Sequence, residues 1–315
     1  MAFSVNSYGY GTVGYLDPQN CYEYDMSELT ETVLSYTLRT HSVIVIKNVV
    51  GREFCDECCQ LNADMMTTLS GQKTHIDRHD MPPQAIPWSF RSYVTNCRWL
   101  WKVRCHPAVL RIFQMLLGTD KLIARSDGFR YIPNGAPCCD VRHRDFVEKP
   151  HGHQQQVPYM AHLVLAAGSE SLLATDTHVP RIVTRYIGQT GRQMQSHRTP
   201  VGALVIWRSD VAHSHTLPRC DWQSMYLAAF LSYRSKDTID KKQIHQRAQA
   251  YVTNHPTGTD VCAIVSNGAA CNVTYDPDTP LGKMNARKVT PFDFYKDVES
   301  PEVDSILMGL AGLAE

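Results

Sequence analysis

The chain has 315 residues, 31 basic and 31 acidic side chains, and 43 % apolar residues. A chain of this length buries most of its unfolded surface without staples. Zero net charge excludes the one-signed field that a broad nucleic-acid or membrane-surface footprint requires. No nucleic-acid partner and no membrane are therefore expected, and no apolar run approaches the roughly 20 residues of a membrane span.

The eleven cysteines are an odd count and do not have the spacing of a disulfide framework. Cys55, Cys58 and Cys59 fall in a helix-like stretch, and Cys138 and Cys139 are adjacent. A zinc site needs a second tight pair of thiolates, and none follows. Reduced, mostly buried thiols are the expectation. The first residues lack the basic and apolar regions of a secretory signal. Together these features predict an intracellular, soluble protein, in the cytoplasm.

In chain order, residues 1–25 read as an irregular arm. Ser27 is a candidate helix cap with Glu31 close to the capping-box position, and apolar residues recur through Leu38. Val43-Ile-Val-Ile46 predicts a buried strand within 41–50, and a helix fits Arg52 to Leu69, closed by Gly71. The proline-bearing stretch 72–97 predicts a long loop. Pro107 opens and Gly118 stops a further helix. Short β-type runs then follow at Leu122–Ala124, Phe129–Ile132, Tyr159–Ala166, Ser171–Ala174, Ile182–Ile187, Ala203–Trp207 and Met225–Tyr233. Lys241 to Tyr251 predicts a helix, 254–290 reads as irregular, and Pro301 opens a last helix to about Leu313.

Helices first, strands next and a helical tail predict a β-rich α+β barrel or sandwich buttressed by helices, not a parallel α/β sheet. A single domain, 1–315, is expected. Residues 1–121 form its N-terminal helical support and first strand, 122–235 its β core, and 236–315 a helical and irregular C-terminal extension.

A non-haem Fe(II) site needs two imidazoles and one carboxylate on one face of the ion. The usual sequence form is His-x-Asp near a strand, with a second histidine far downstream. His-x-Asp occurs twice, at His75-Ile-Asp77 and His143-Arg-Asp145. The first lies in the proline-bearing loop, whereas the second lies among the strands, so His143 and Asp145 are the candidates. The distal candidate is His213, after the buried run Ala203–Trp207, with His215 as its rival.

These residues resemble the phytanoyl-CoA dioxygenase-like family. Thr40-His-Ser-Val-Ile-Val-Ile-Lys-Asn-Val49 is similar to the family's first strand. Trp101 to Phe113, with Gly118-Thr-Asp-Lys-Leu122 and Ser126-Asp-Gly-Phe129, resembles the helix and strand that precede its metal motif. Gly202-Ala-Leu-Val-Ile-Trp207-Arg-Ser209-Asp-Val-Ala-His213 is similar to the family's Gly-x-Leu-x-x-Trp-x-Ser-x-x-x-His stretch and selects His213 over His215. The resemblance implies a double-stranded β-helix of the jelly-roll or cupin-like kind, holding Fe(II) through the catalytic triad His143, Asp145 and His213. It also implies 2-oxoglutarate as cosubstrate and hydroxylation of an unknown substrate, a small molecule or a modified residue, with release of succinate and CO2.

The chain departs from the family at three places. An arginine on the strand after the distal histidine pairs with the far carboxylate of 2-oxoglutarate in the family, a task suited to a planar charged fork. Gln223 or Ser224 stands at that position here, and Arg219 is the nearby substitute. The segment Ser169 to His178 lacks the family's Pro-Gly-Ser core, and Phe146 follows the carboxylate where a polar residue is common. The alternative function is therefore a catalytically inactive protein of the oxygenase fold with a structural, self-assembling or binding role.

Other clusters read as ordinary surface or core. His151-Gly-His153 sits in a polar loop, Lys241 to Arg247 forms a solvated basic face, and Asp276 with Asp278 is too sparse for a calcium loop. No Gly-x-Ser-x-Gly elbow is present. The last helix is apolar nearly all round, which predicts either core or a homo-oligomer contact.

Overall fold

The run Val43-Ile-Val-Ile46 is aliphatic and β-branched, too short for a helix and too apolar for a surface. It forms β2 (Val43–Lys47), buried at its first four positions. The computed structural model describes residues 23–71, 96–125, 128–132, 158–166, 171–175, 195–209, 211, 213–216, 226–252 and 305–313. The other elements are β1 (Glu23–Asp25), α1 (Glu31–His41), α2 (Arg52–Gly71), α3 (Arg98–Arg104), α4 (Pro107–Leu117), β3 (Leu122–Ala124) and β4 (Phe129–Ile132). They continue as β5 (Tyr159–Ala166), β6 (Ser171–Thr175), β7 (Gln195–Thr199), β8 (Leu204–Arg208), β9 (His213–Thr216), β10 (Tyr226–Leu231) and β11 (Tyr233–Ser235). Helices α5 (Lys241–Val252) and α6 (Ser305–Leu310) close the chain.

Several boundaries differ from the sequence expectation. Ser27 does not cap a helix: Asp25 does, in a capping box with Glu28 around a single 3-10 turn at Met26–Glu28. Thr30 then caps α1 by accepting from the Val33 N–H. Residues 23–25, expected to be irregular, pair in parallel with β2. The long run ending at Tyr233 breaks at Ser232, whose hydroxyl donates to the Tyr159 carbonyl at 2.9 Å. The expected strand Ile182–Ile187 lies outside the described residues, as do most of 72–97 and all of 254–290.

Six strands form one sheet in the order β1-β2-β8-β5-β10-β4, antiparallel except for the β1–β2 pair. Three form a second sheet, β7-β6-β9, and β11 pairs with β3. The chain passes between the two larger sheets as it advances. Strands β4 and β5 lie in the first, β6 and β7 in the second, β8 in the first, β9 in the second and β10 in the first.

Alternation along each strand gives the six-stranded sheet two chemically distinct faces. Ile44, Ile46, Ala161, Leu163, Leu204, Ile206, Leu227, Ala229 and Leu231 share one core with Leu34 and Leu38 of α1, Cys55 and Cys58 of α2, Trp99 of α3 and Phe113 of α4. Each buried leucine, isoleucine or phenylalanine among them contributes about 1.5–3 kcal/mol by leaving water. The opposite face carries a separate cluster, Val43, Val45, Met160, Ala203, Val205 and Trp207. It is equally buried, so the sheet is enclosed on both sides. Among the described residues, no helix is long and apolar enough to cross a membrane.

Candidate functional site

The segment from Gly202 to His213 shows why its residue types recur at this spacing. Gly202 sits at φ +80°, and a Cβ there would lie 2.5 Å from the Val50 carbonyl oxygen. Its own carbonyl accepts from the Val49 and Val50 N–H groups at 3.0 and 3.3 Å, and its N–H donates to Val164 at 2.8 Å. Only glycine fits so tight a stitch between β2, β5 and β8. Leu204 and Ile206 then enter the helix-side core, and Val205 and Trp207 enter the opposite face.

Beyond β8, the Ser209 N–H donates to the Pro158 carbonyl at 3.0 Å and the Val211 N–H to Arg208 at 3.0 Å, forming a turn. Ser209 is fully buried, and its hydroxyl has no hydrogen-bond partner among the described residues. The chain then changes sheets, and His213 is the first residue of β9, in register with Thr175 of β6.

The inner face of the large sheet, opposite the helices, is apolar but carries basic side chains. His162 lies between Val205 on β8 and Phe230 on β10. Its ring is 5.5 Å from that of Trp207, inclined at 58°. Arg130, 6 % exposed, is in register with Ala228 of β10, which in turn pairs with Val164. Phe129 packs edge-on against Trp99 on the helix side at 5.0 Å, so Arg130 belongs to the inner face. Arg125, 3 % exposed, lies at the other end of the sheet, with Nη1 3.3 Å from the Met160 sulfur and its N–H donating to Ser232.

Of the residues singled out from the sequence, His213 alone among the triad is described. His143, Asp145, Arg219, Gln223 and Ser224 lie outside the described residues, as do His75, Asp77, His151 and His153. Among the described residues, no group of three or more His, Cys, Asp or Glu side chains could hold a metal. Sequence reasoning overlooked His162 and Arg130. The signal was there: Met160-Ala-His162-Leu-Val164 places His162 in phase with the residues opposite the helix-side Ala161 and Leu163.

Among the described residues, Cys55, Cys58 and Cys97 are buried and take part in no disulfide, in keeping with reduced core cysteines. Loss of hydration pushes the Cys55 thiol up to about 11 and that of Cys97 up to about 12, and raises Cys58 further. Such groups stay protonated at neutral pH and are poor nucleophiles.

No family model matches the chain, and no curated protein matches it. Solved structures do. A Salmonella typhimurium LT2 protein, named provisionally as an oxidoreductase, matches with a TM-score of 0.57 at 10 % identity, over 92 % of this chain and 85 % of that one. The hypothetical protein JW0805 from Escherichia coli matches with a TM-score of 0.55 at 11 % identity, over 92 % and 85 % of the two chains. A nickel complex of the non-haem monooxygenase ThoJ matches at 14 % identity over 64 % of this chain and 77 % of that one, with a TM-score of 0.49. At these identities the chain shares a fold with the Salmonella and E. coli proteins: a mixed α+β architecture around a large, mostly antiparallel sheet.

Proposed function

We propose that this chain is an Fe(II)- and 2-oxoglutarate-dependent oxygenase built on a double-stranded β-helix. His143, Asp145 and His213 would hold the iron, and a small molecule would be hydroxylated with release of succinate and CO2. The observation that carries the reading is the passage of successive strands between two sheets, β4-β10-β5-β8 within one and β7-β6-β9 in the other. His213 falls at the first residue after a crossing. Strands that alternate between facing sheets are how a double-stranded β-helix is wound. The provisional description of the Salmonella protein as an oxidoreductase agrees with it.

When bound, the iron would supply the oxygen-activating chemistry. This chain's own residues would hold the ion, keep its surroundings dry and orient the organic acids. Val43, Val45, Val205, Trp207 and Phe230 make the inner face apolar, which excludes water from the neighbourhood of reactive species. The buried Ser209 hydroxyl offers a donor close to where β9 begins.

An anaerobic Fe(II) titration of the purified chain, without and then with 2-oxoglutarate, tests the reading. A charge-transfer band that requires both, and that is lost in His213→Ala while the circular dichroism spectrum is kept, is the expected result. Stoichiometric iron retained by His213→Ala removes His213 from the triad. No iron uptake by the unaltered chain overturns the enzyme and leaves the non-catalytic reading of the fold.

A further inference from the structure

We draw no further inference here: the strongest candidate, the fully buried Ser209 hydroxyl in the turn between β8 and β9, which has no hydrogen-bond partner among the described residues, belongs to the site already described.

Discussion

Gly202 shows how much structure can rest on one missing methyl group. Its φ of +80° lies in the region that side-chain-bearing residues avoid, and any Cβ would meet the Val50 carbonyl oxygen at 2.5 Å. Backbone cannot withdraw as a flexible side chain can, and the Gly202 carbonyl holds β2 against β8 by accepting from the Val49 and Val50 N–H groups. Gly202→Ala is therefore expected to lower stability by about 2–4 kcal/mol, the sum of left-handed strain and a forced shift of the β2–β8 stitch. Urea denaturation measures it, and a midpoint equal to that of the unaltered chain would refute the packing argument. Cys97 makes a second residue-scale case. Burial raises its thiol to about 12, so the folded state holds a proton that the unfolded chain gives up near its ordinary value of 9. The folded state then binds more protons than the unfolded one between those values. The stability contribution of the neutral thiol is present below about pH 9 and lost as pH rises toward 12. Cys97→Ala should flatten the alkaline arm of a stability–pH curve between pH 9 and 10.5; an unchanged slope would show that the thiol is hydrated in solution.

At the scale of elements, α4 is the helix whose ends are written most plainly in the sequence. Pro107 takes the first helical position and Gly118 the left-handed position past the end, at φ 65°. The cap itself was not legible. His106 Nδ1 accepts from the Ala108 N–H at 3.3 Å, and the ring packs edge-on against Phe54 of α2 at 4.5 Å. Loss of hydration lowers the His106 pKa, which favours the neutral ring the cap requires. Stability from this contact is therefore full above the ordinary histidine value of 6.5 and lost as pH falls through the depressed one. His106→Ala should cost about 1 kcal/mol at pH 8 and make the melting temperature less sensitive to pH between 5 and 7. If both proteins show the same pH slope, protonation of His106 does not couple to folding. Elsewhere legibility followed hydrophobic pattern. Strands β2, β5 and β8 were readable because each buries an aliphatic run. Strands β7, Gln-Ser-His-Arg-Thr, and β9, His-Ser-His-Thr, were not, since polar residues carry no strand period and it is pairing with β6 that extends them. The candidate site divides along the same line. His213 was marked by the apolar strand before it, while Arg130 passed unnoticed because a four-residue strand holds too few positions to show which face a basic residue takes.

Across the whole molecule, helices α5 and α6 pack into the core. Arg247 of α5 is fully buried and donates through Nε to the Ala124 carbonyl of β3, with its guanidinium 5.6 Å from the Trp101 ring. Arg104 approaches the same indole at 5.0 Å, and Tyr251 meets it edge-on at 5.3 Å. Cation–π contacts gain strength where water is excluded, so this cluster ties α5 to α3, elements far apart in sequence. Helix α6 completes the same seam: Leu307, Leu310 and Ala311 belong to the main core, and a Cβ at Gly312, which sits at φ 76°, would meet the Ile244 carbonyl oxygen and the Ile123 side chain. Ser305 and Ile306 face outward, Ile306 at 45 % exposure. The two roles expected of this helix, core and oligomer contact, thus make opposite demands on a truncation ending at residue 304. Loss of the core role removes two buried leucines at about 2–5 kcal/mol each and should lower the melting temperature sharply at every protein concentration. Loss of an oligomer contact should instead reduce mass in solution and make the melting temperature depend on concentration in the full chain alone. The burial of Leu307 and Leu310 predicts the first outcome. A truncated chain that melts like a dilute full-length sample but sediments at lower mass would assign α6 to a partner instead.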